Sequence, residues 1–84
     1  MHRKEYISRM AALWKRCMHM ERYENIRLKL IYLTSLSRKQ EEMVEWAENM
    51  VTLYENDEEM LERVLIRKLK EVRPDRAIHT NSQS

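Results

Sequence analysis

The chain has 84 residues, no glycine and a single proline, Pro74, and its formal net charge is only +2. Hairpin turns, bulges and phosphate-binding loops depend on glycine for positive φ, so this composition argues against a β-rich domain and against a P-loop. Leu, Met, Glu, Lys and Arg, which lose little side-chain freedom in a helix, are abundant. The sequence therefore predicts an all-α fold.

The charged residues form three blocks of alternating sign. Residues 1–36 contain eight Lys or Arg and three Asp or Glu, a net charge of +5. Residues 37–62 contain two Lys or Arg and nine Asp or Glu, a net charge of −7. Residues 63–84 have a net charge of +4. The blocks coincide with the predicted helices, so we expect an acidic helix to attract a basic helix on either side.

Apolar residues at alternating spacings of four and three predict a long first helix over about residues 3–34. This stripe is made of Tyr6, Met10, Leu13, Cys17 and Met20. A second stripe follows from Tyr23 to Leu33, but its phase differs from that of the first. The shift predicts either a locally overwound helix or a break near residues 20–25.

Two further helices are predicted over about residues 38–55 and 57–73, and Pro74 ends the last one because the residue before a proline resists helical geometry. Residues 1–74 then make one helical domain, a three-helix bundle or an assembly of helical hairpins. Residues 75–84 have the composition of a disordered tail.

A chain of this size has a marginal core, because it buries only about 60–65% of its unfolded surface. The single cysteine, Cys17, cannot form an internal disulfide and favours a reducing, cytoplasmic location. We therefore expect oligomerisation, as a homodimer, or another protein partner to complete the fold.

The second predicted helix has an apolar face broader than one neighbouring helix covers. Aromatic side chains dominate binding hot spots, and methionines adapt to varied interfaces. We predict that partner-binding anchors come from this face and from the first helix: Trp14, Met43, Trp46, Met50 and Tyr54. The predicted function is a non-enzymatic protein–protein interaction module, a small regulator or inhibitor that docks through an apolar helix face with charged flanks.

The alternative is a nucleic-acid-binding transcriptional regulator. Lys4, Lys15, Arg22 and Lys29 fall within about 40° of one another on a straight helix, where they would neutralise successive phosphates. A third hypothesis is that the acidic face of the second helix mimics nucleic acid.

No residues have the spacing of a catalytic or metal site. His2, His19 and His79 are far apart in sequence, with no i, i+4 pair of the kind that binds zinc. No uncharged apolar run approaches the roughly 20 residues that span a bilayer. We therefore expect no enzymatic activity, cofactor, metal, small-molecule substrate or membrane partner.

Overall fold

The structure, a computed structural model, describes residues 3–72 and contains no strand in that range. Its four helices are α1 (Arg3–Cys17), α2 (Tyr23–Leu36), α3 (Gln40–Leu53) and α4 (Glu58–Val72). The all-α prediction is confirmed, but the predicted number of three helices is wrong. The predicted first helix is two helices joined by a turn at residues 18–22. The predicted tail, residues 75–84, lies outside the described residues.

The turn between α1 and α2 exists because the two helices bury different faces. On one straight helix, the buried residues of the two segments would lie roughly 150° apart, so a single helix could not bury both in one core. The residues concerned are Met10, Leu13 and Cys17 in α1, and Ile26, Leu30, Leu33 and Thr34 in α2. Within the turn, the amides of Met18 and Met20 donate to carbonyls three residues earlier.

Ion pairs show that α1 and α3 run in the same direction. Arg9 binds Glu48 through two hydrogen bonds, with Nε–Oε2 and Nη2–Oε1 distances of 3.1 and 2.6 Å. Further along both segments of the chain, Arg16 lies 3.6 Å from Glu55. The predicted attraction between a basic and an acidic helix thus takes the form of a parallel pair at one edge of the molecule.

A second parallel pair, α2 and α4, is joined at the acidic start of α4. The backbone N–H of Arg22 donates to Glu58 at 2.7 Å. Both the Arg22 side chain and the Lys29 ammonium reach Glu62, at 2.9 and 3.2 Å. These carboxylates occupy the first two turns of α4, and those of the first turn also complement the positive end of the helix dipole.

The four helices alternate in direction along the chain and follow the order α1, α2, α4, α3 around the bundle. The helices α2 and α3 also pack against each other across the bundle, whereas α1 and α4 make no contact within residues 3–72. As a result, α2 and α3 each contact three helices. The broad apolar face of α3 therefore packs against helices of the same chain.

One buried cluster lies between the helices and receives residues from all four. Its buried polar member is Thr34, which is 0% exposed. The Thr34 hydroxyl donates to the Leu30 carbonyl at 3.0 Å and accepts from the Tyr6 hydroxyl at 2.9 Å. Since both hydroxyls are satisfied, this link between α1 and α2 avoids the cost of an unpaired buried polar group.

Candidate protein-docking surface

Exposed apolar side chains are concentrated on the first hairpin, formed by α1, the turn and α2. Of the seven large apolar side chains that are exposed in the described part of the chain, five belong to this hairpin. They are Ile7 (54% exposed), Met18 (62%), Leu28 (44%), Tyr32 (54%) and Leu36 (37%). The other two, Leu53 and Ile66, lie on separate helices of the second hairpin.

Three of these residues form a straight row on α2, which we call the α2 outer row: Leu28, Tyr32 and Leu36. They are spaced by four residues, so they follow one ridge of the helix. The opposite side of α2 holds the buried residues Ile26, Leu30 and Leu33. The helix α2 is thus apolar on both sides, although only its inner side is covered within the chain.

The C-terminal half of α2 also lacks charge. Residues 30–37 contain no Asp, Glu, Lys or Arg, in a chain where 36% of residues are charged. Solvated helix faces normally carry charged side chains, and contiguous exposed apolar patches commonly mark interaction sites. The α2 outer row and the uncharged C-terminal half of the helix are therefore a candidate interaction site.

Elsewhere on the same hairpin, a shallow groove lies between α1 and the start of α2. Small residues, Ala11 and Ala12, form its floor, and Trp14, Met18 and Tyr23 stand around it. The indole Nε1 of Trp14 is shielded from solvent and has no hydrogen-bond partner in the described region. An unpaired buried donor is uncommon in folded proteins.

The five predicted anchors are not brought together on this surface. Met43 belongs to the core and is only 7% exposed, while the others are half-buried residues that pack against the core: Trp14, Trp46, Met50 and Tyr54. The ammonium of Lys68 lies 5.0 Å from the centre of the Trp46 ring, so a cation covers one of these aromatics. Of the five, Trp14 lines the groove on the first hairpin, and the role of the set as anchors stays a prediction.

The predicted basic stripe is divided by the turn at residues 18–22. Lys4 and Lys15 are exposed on α1. In contrast, Arg22 lies in the turn and Lys29 on α2, and both bind Glu62. The four cations therefore do not line up along one helix, and two of them already have carboxylate partners.

A different basic surface lies on α4. Arg63, Arg67 and Lys70 are exposed, and none of them takes part in the ion pairs found among residues 3–72. Their spacing of four and three residues places them on one side of the helix. Sequence reasoning missed this row, although its helical spacing is visible in the sequence.

The carboxylate of Glu62 is the electrostatic centre of the α2–α4 contact. Burial opposes its ionisation, but hydrogen bonds from Lys29 and Arg22 outweigh burial, so the pKa of Glu62 is lowered. On α1, the hydrogen bond to Glu48 raises the pKa of Arg9. Burial raises the pKa of the Cys17 thiol, which is 1% exposed.

Within residues 3–72, no three His, Cys, Asp or Glu side chains come close enough to hold a metal ion. None of the helices in this range is long and apolar enough to cross a membrane. No protein-family model matches the chain, and neither a curated protein nor a solved structure shows detectable similarity to it.

Proposed function

We propose that this protein is a non-enzymatic interaction module, a small regulator or inhibitor that docks onto another protein chain through the outer side of its first hairpin. The observation that carries the proposal is the concentration there of five of the seven exposed large apolar side chains found among the described residues. The flanking charges, Lys15 on one side and Glu24 on the other, would orient the encounter.

The exposed apolar side chains would supply part of the binding energy at this surface, the rest coming from polar contacts. Fully burying an exposed Leu, Ile or Met side chain contributes about 1.5–3 kcal/mol. The five side chains are already partly covered, so each retains on the order of 1 kcal/mol to be gained. Interface cores combine such apolar anchors with a polar rim, and the same arrangement is present here.

The test compares apolar-to-acidic changes on the two hairpins. The variant Leu28→Glu/Tyr32→Glu places charge on the α2 outer row, while Leu53→Glu places it on α3, where the leucine is 64% exposed. Tagged versions of the native chain and both variants are used to capture proteins from the source cells after nuclease treatment, with quantitative mass spectrometry. Circular dichroism checks that each variant keeps its helices.

We expect a stoichiometric partner that the native chain and Leu53→Glu retain and that Leu28→Glu/Tyr32→Glu loses. Equal capture by all three proteins would show that the first hairpin is not the docking surface.

A second candidate function, nucleic-acid binding, is favoured by Arg63, Arg67 and Lys70 on α4, which are exposed and make no ion pair within the described residues. Cations in such a row release counterions from phosphates, so binding would weaken steeply with salt. Titration of a fluorescent oligonucleotide at roughly 50 and 200 mM salt, a range over which phosphate contacts weaken strongly, tests this function. A charge reversal of Arg63 and Arg67 should abolish binding, whereas reversal of Lys4 and Lys15 tests the stripe predicted on the first helix.

A further inference from the structure

We infer that the occupant of this docking surface is a second copy of the same chain, with the two α2 helices packed antiparallel about a two-fold axis at Tyr32. This inference rests on the proposed function, since it assigns a partner to the same surface. It is carried by the symmetry of the exposed side chains and by the distribution of charge along α2.

The α2 outer row is symmetric about its central residue. Leu28 precedes Tyr32 by four residues, and Leu36 follows it by four. When two such helices lie antiparallel across a two-fold axis at Tyr32, Leu28 of each copy faces Leu36 of the other. The two tyrosines then meet at the axis. A two-fold interface requires this kind of self-complementary surface.

The spacing also suits a common mode of helix packing. Residues four apart form one ridge on a helix, and ridges of this kind interdigitate when two helices cross at about −50°. The three side chains are 37–54% exposed, so each can enter the groove of the other copy without disturbing the core. No buried residue of α2 has to move.

The charges at the two ends of α2 are opposite. Glu21 and Glu24 lie at its N-terminal end, where Arg22 is paired with carboxylates of α4 and Arg27 with Glu24. Arg38 and Lys39 lie just beyond its C-terminal end and are followed by Glu41 and Glu42 of α3. Glu21, Glu24, Arg38 and Lys39 are all exposed. Glu24 is eight residues before Tyr32, and Lys39 is seven residues after it. The antiparallel arrangement therefore brings Glu21 and Glu24 of each helix towards Arg38 and Lys39 of the other.

A parallel arrangement would place like charges together at both ends, which is unfavourable. Antiparallel packing also sets the two helix dipoles in opposite directions. Glu24 remains available for an ion pair with a second copy, because its side chain is 73% exposed. Its carboxylate also accepts a hydrogen bond from Arg27 at 3.1 Å.

The test is a charge exchange between two variants of the full chain, Glu24→Lys and Lys39→Glu. Each variant alone puts like charges together at both ends of its own antiparallel dimer. In a mixed dimer, the lysine introduced at position 24 of one copy would face the glutamate introduced at position 39 of the other. The native Glu24–Lys39 pair would form at the opposite end, so both ends regain opposite charges.

The comparison with the native chain separates the two arrangements. In an antiparallel dimer the native chain already pairs opposite charges, so the mixed dimer should match its affinity. In a parallel dimer the native chain would carry like charges at both ends, as each variant does, and the mixed dimer would bind more tightly than the native one.

Sedimentation equilibrium of the native chain gives its dimer dissociation constant, and native mass spectrometry with one ¹⁵N-labelled variant identifies mixed dimers. We expect the native chain to dimerise, and each variant to bind itself about 3–30-fold more weakly, since two ion pairs are lost in each dimer. The mixture should recover the native affinity and consist mainly of mixed dimers. Glu45→Lys, which makes the same charge change on an exposed site of α3, should dimerise like the native chain.

A dimer that shows no preference for mixing, or a mixed dimer that binds more tightly than the native one, would overturn the antiparallel arrangement. A native chain that remains monomeric at millimolar concentration would overturn the second copy as the occupant. In the latter case the proposed function still stands if Leu28→Glu/Tyr32→Glu abolishes capture of a different protein, and it fails too if capture is unchanged. The two failures are therefore distinguishable.

Discussion

The two hairpins contribute to one core but present different surfaces to solvent. The first hairpin, α1 and α2, exposes five large apolar side chains, and the C-terminal half of its α2 helix carries no charge. The second hairpin, α3 and α4, exposes carboxylates on α3 and the cations Arg63, Arg67 and Lys70 on α4. The difference arises because the apolar residues of α2 lie in two different environments. Those on its inner side pack in the core, and those on its outer side remain exposed.

The largest expected effect separates the two sides of α2. Replacing Leu30, which is 0% exposed, with alanine should reduce the free energy of unfolding by about 2–5 kcal/mol, because a cavity remains in the core. Replacing Leu28, which is 44% exposed, should change it by no more than about 0.5 kcal/mol. Urea denaturation of both variants, at a concentration where the native chain is monomeric, measures the difference. Equal losses would mean that the outer row is part of the folding core.

An intermediate effect is expected where the two hairpins meet at Glu62. Replacing Glu62 with glutamine weakens its bonds to Arg22 and Lys29, and should reduce the free energy of unfolding by about 1–3 kcal/mol at neutral pH. Because the pKa of Glu62 is lowered in the fold, its contribution is fully present above the unfolded pKa of about 4.3. It is lost as the pH falls through the lower, folded value.

Denaturation curves of the native chain and Glu62→Gln at neutral and at strongly acidic pH test this linkage. The stability difference should be large at neutral pH and nearly vanish in acid. Glu59→Gln is a suitable control, since Glu59 lies 3.5 Å from Arg22 but its side chain is 67% exposed. A difference that persists unchanged in acid would show that Glu62 acts through packing alone.

The smallest effect is expected at the other edge, where α1 meets α3. Arg9 and Glu48 are each about one-third exposed, at 33% and 31%. Replacing Arg9 with glutamine should therefore cost about 0.5–1 kcal/mol at low salt, and less at high salt as the charges are screened. Thermal unfolding at two salt concentrations measures the change, with Arg67→Gln as the control at a site without an ion pair among residues 3–72. A larger, salt-independent loss would show that the aliphatic part of Arg9 carries the contact.

The helical class could be predicted because it depends on local properties, namely the absence of glycine and the spacing of apolar residues. The number of helices could not, because Met18 to Arg22 contain neither glycine nor proline and would suit a continuous helix. The turn forms there because the buried stripes of α1 and α2 are out of phase. Only a turn lets both stripes enter the same core, and that requirement exists only once the core is assembled. The change of phase at Tyr23 was the one local sign of it.

The exposed apolar row was harder to locate because α2 is apolar on both sides. Spacing alone does not tell whether Leu28 or Leu30 faces the core, since each belongs to a regular row along the helix. The predicted anchors on α3 had the same ambiguity: Met43, Met50 and Tyr54 are as apolar as surface anchors would be, but they pack on the core. Which row stays uncovered depends on where the other three helices lie.

The contacts of the turn at residues 18–22 become possible at different times during synthesis. Its geometry uses no positive φ, and Arg22 within it binds Glu58, Glu59 and Glu62, which are translated at least 36 residues later. Until those carboxylates leave the ribosome, the turn can form its local backbone hydrogen bonds but lacks its contacts with α4. The turn between α1 and α2 therefore gains its ion pairs only after α4 has been made.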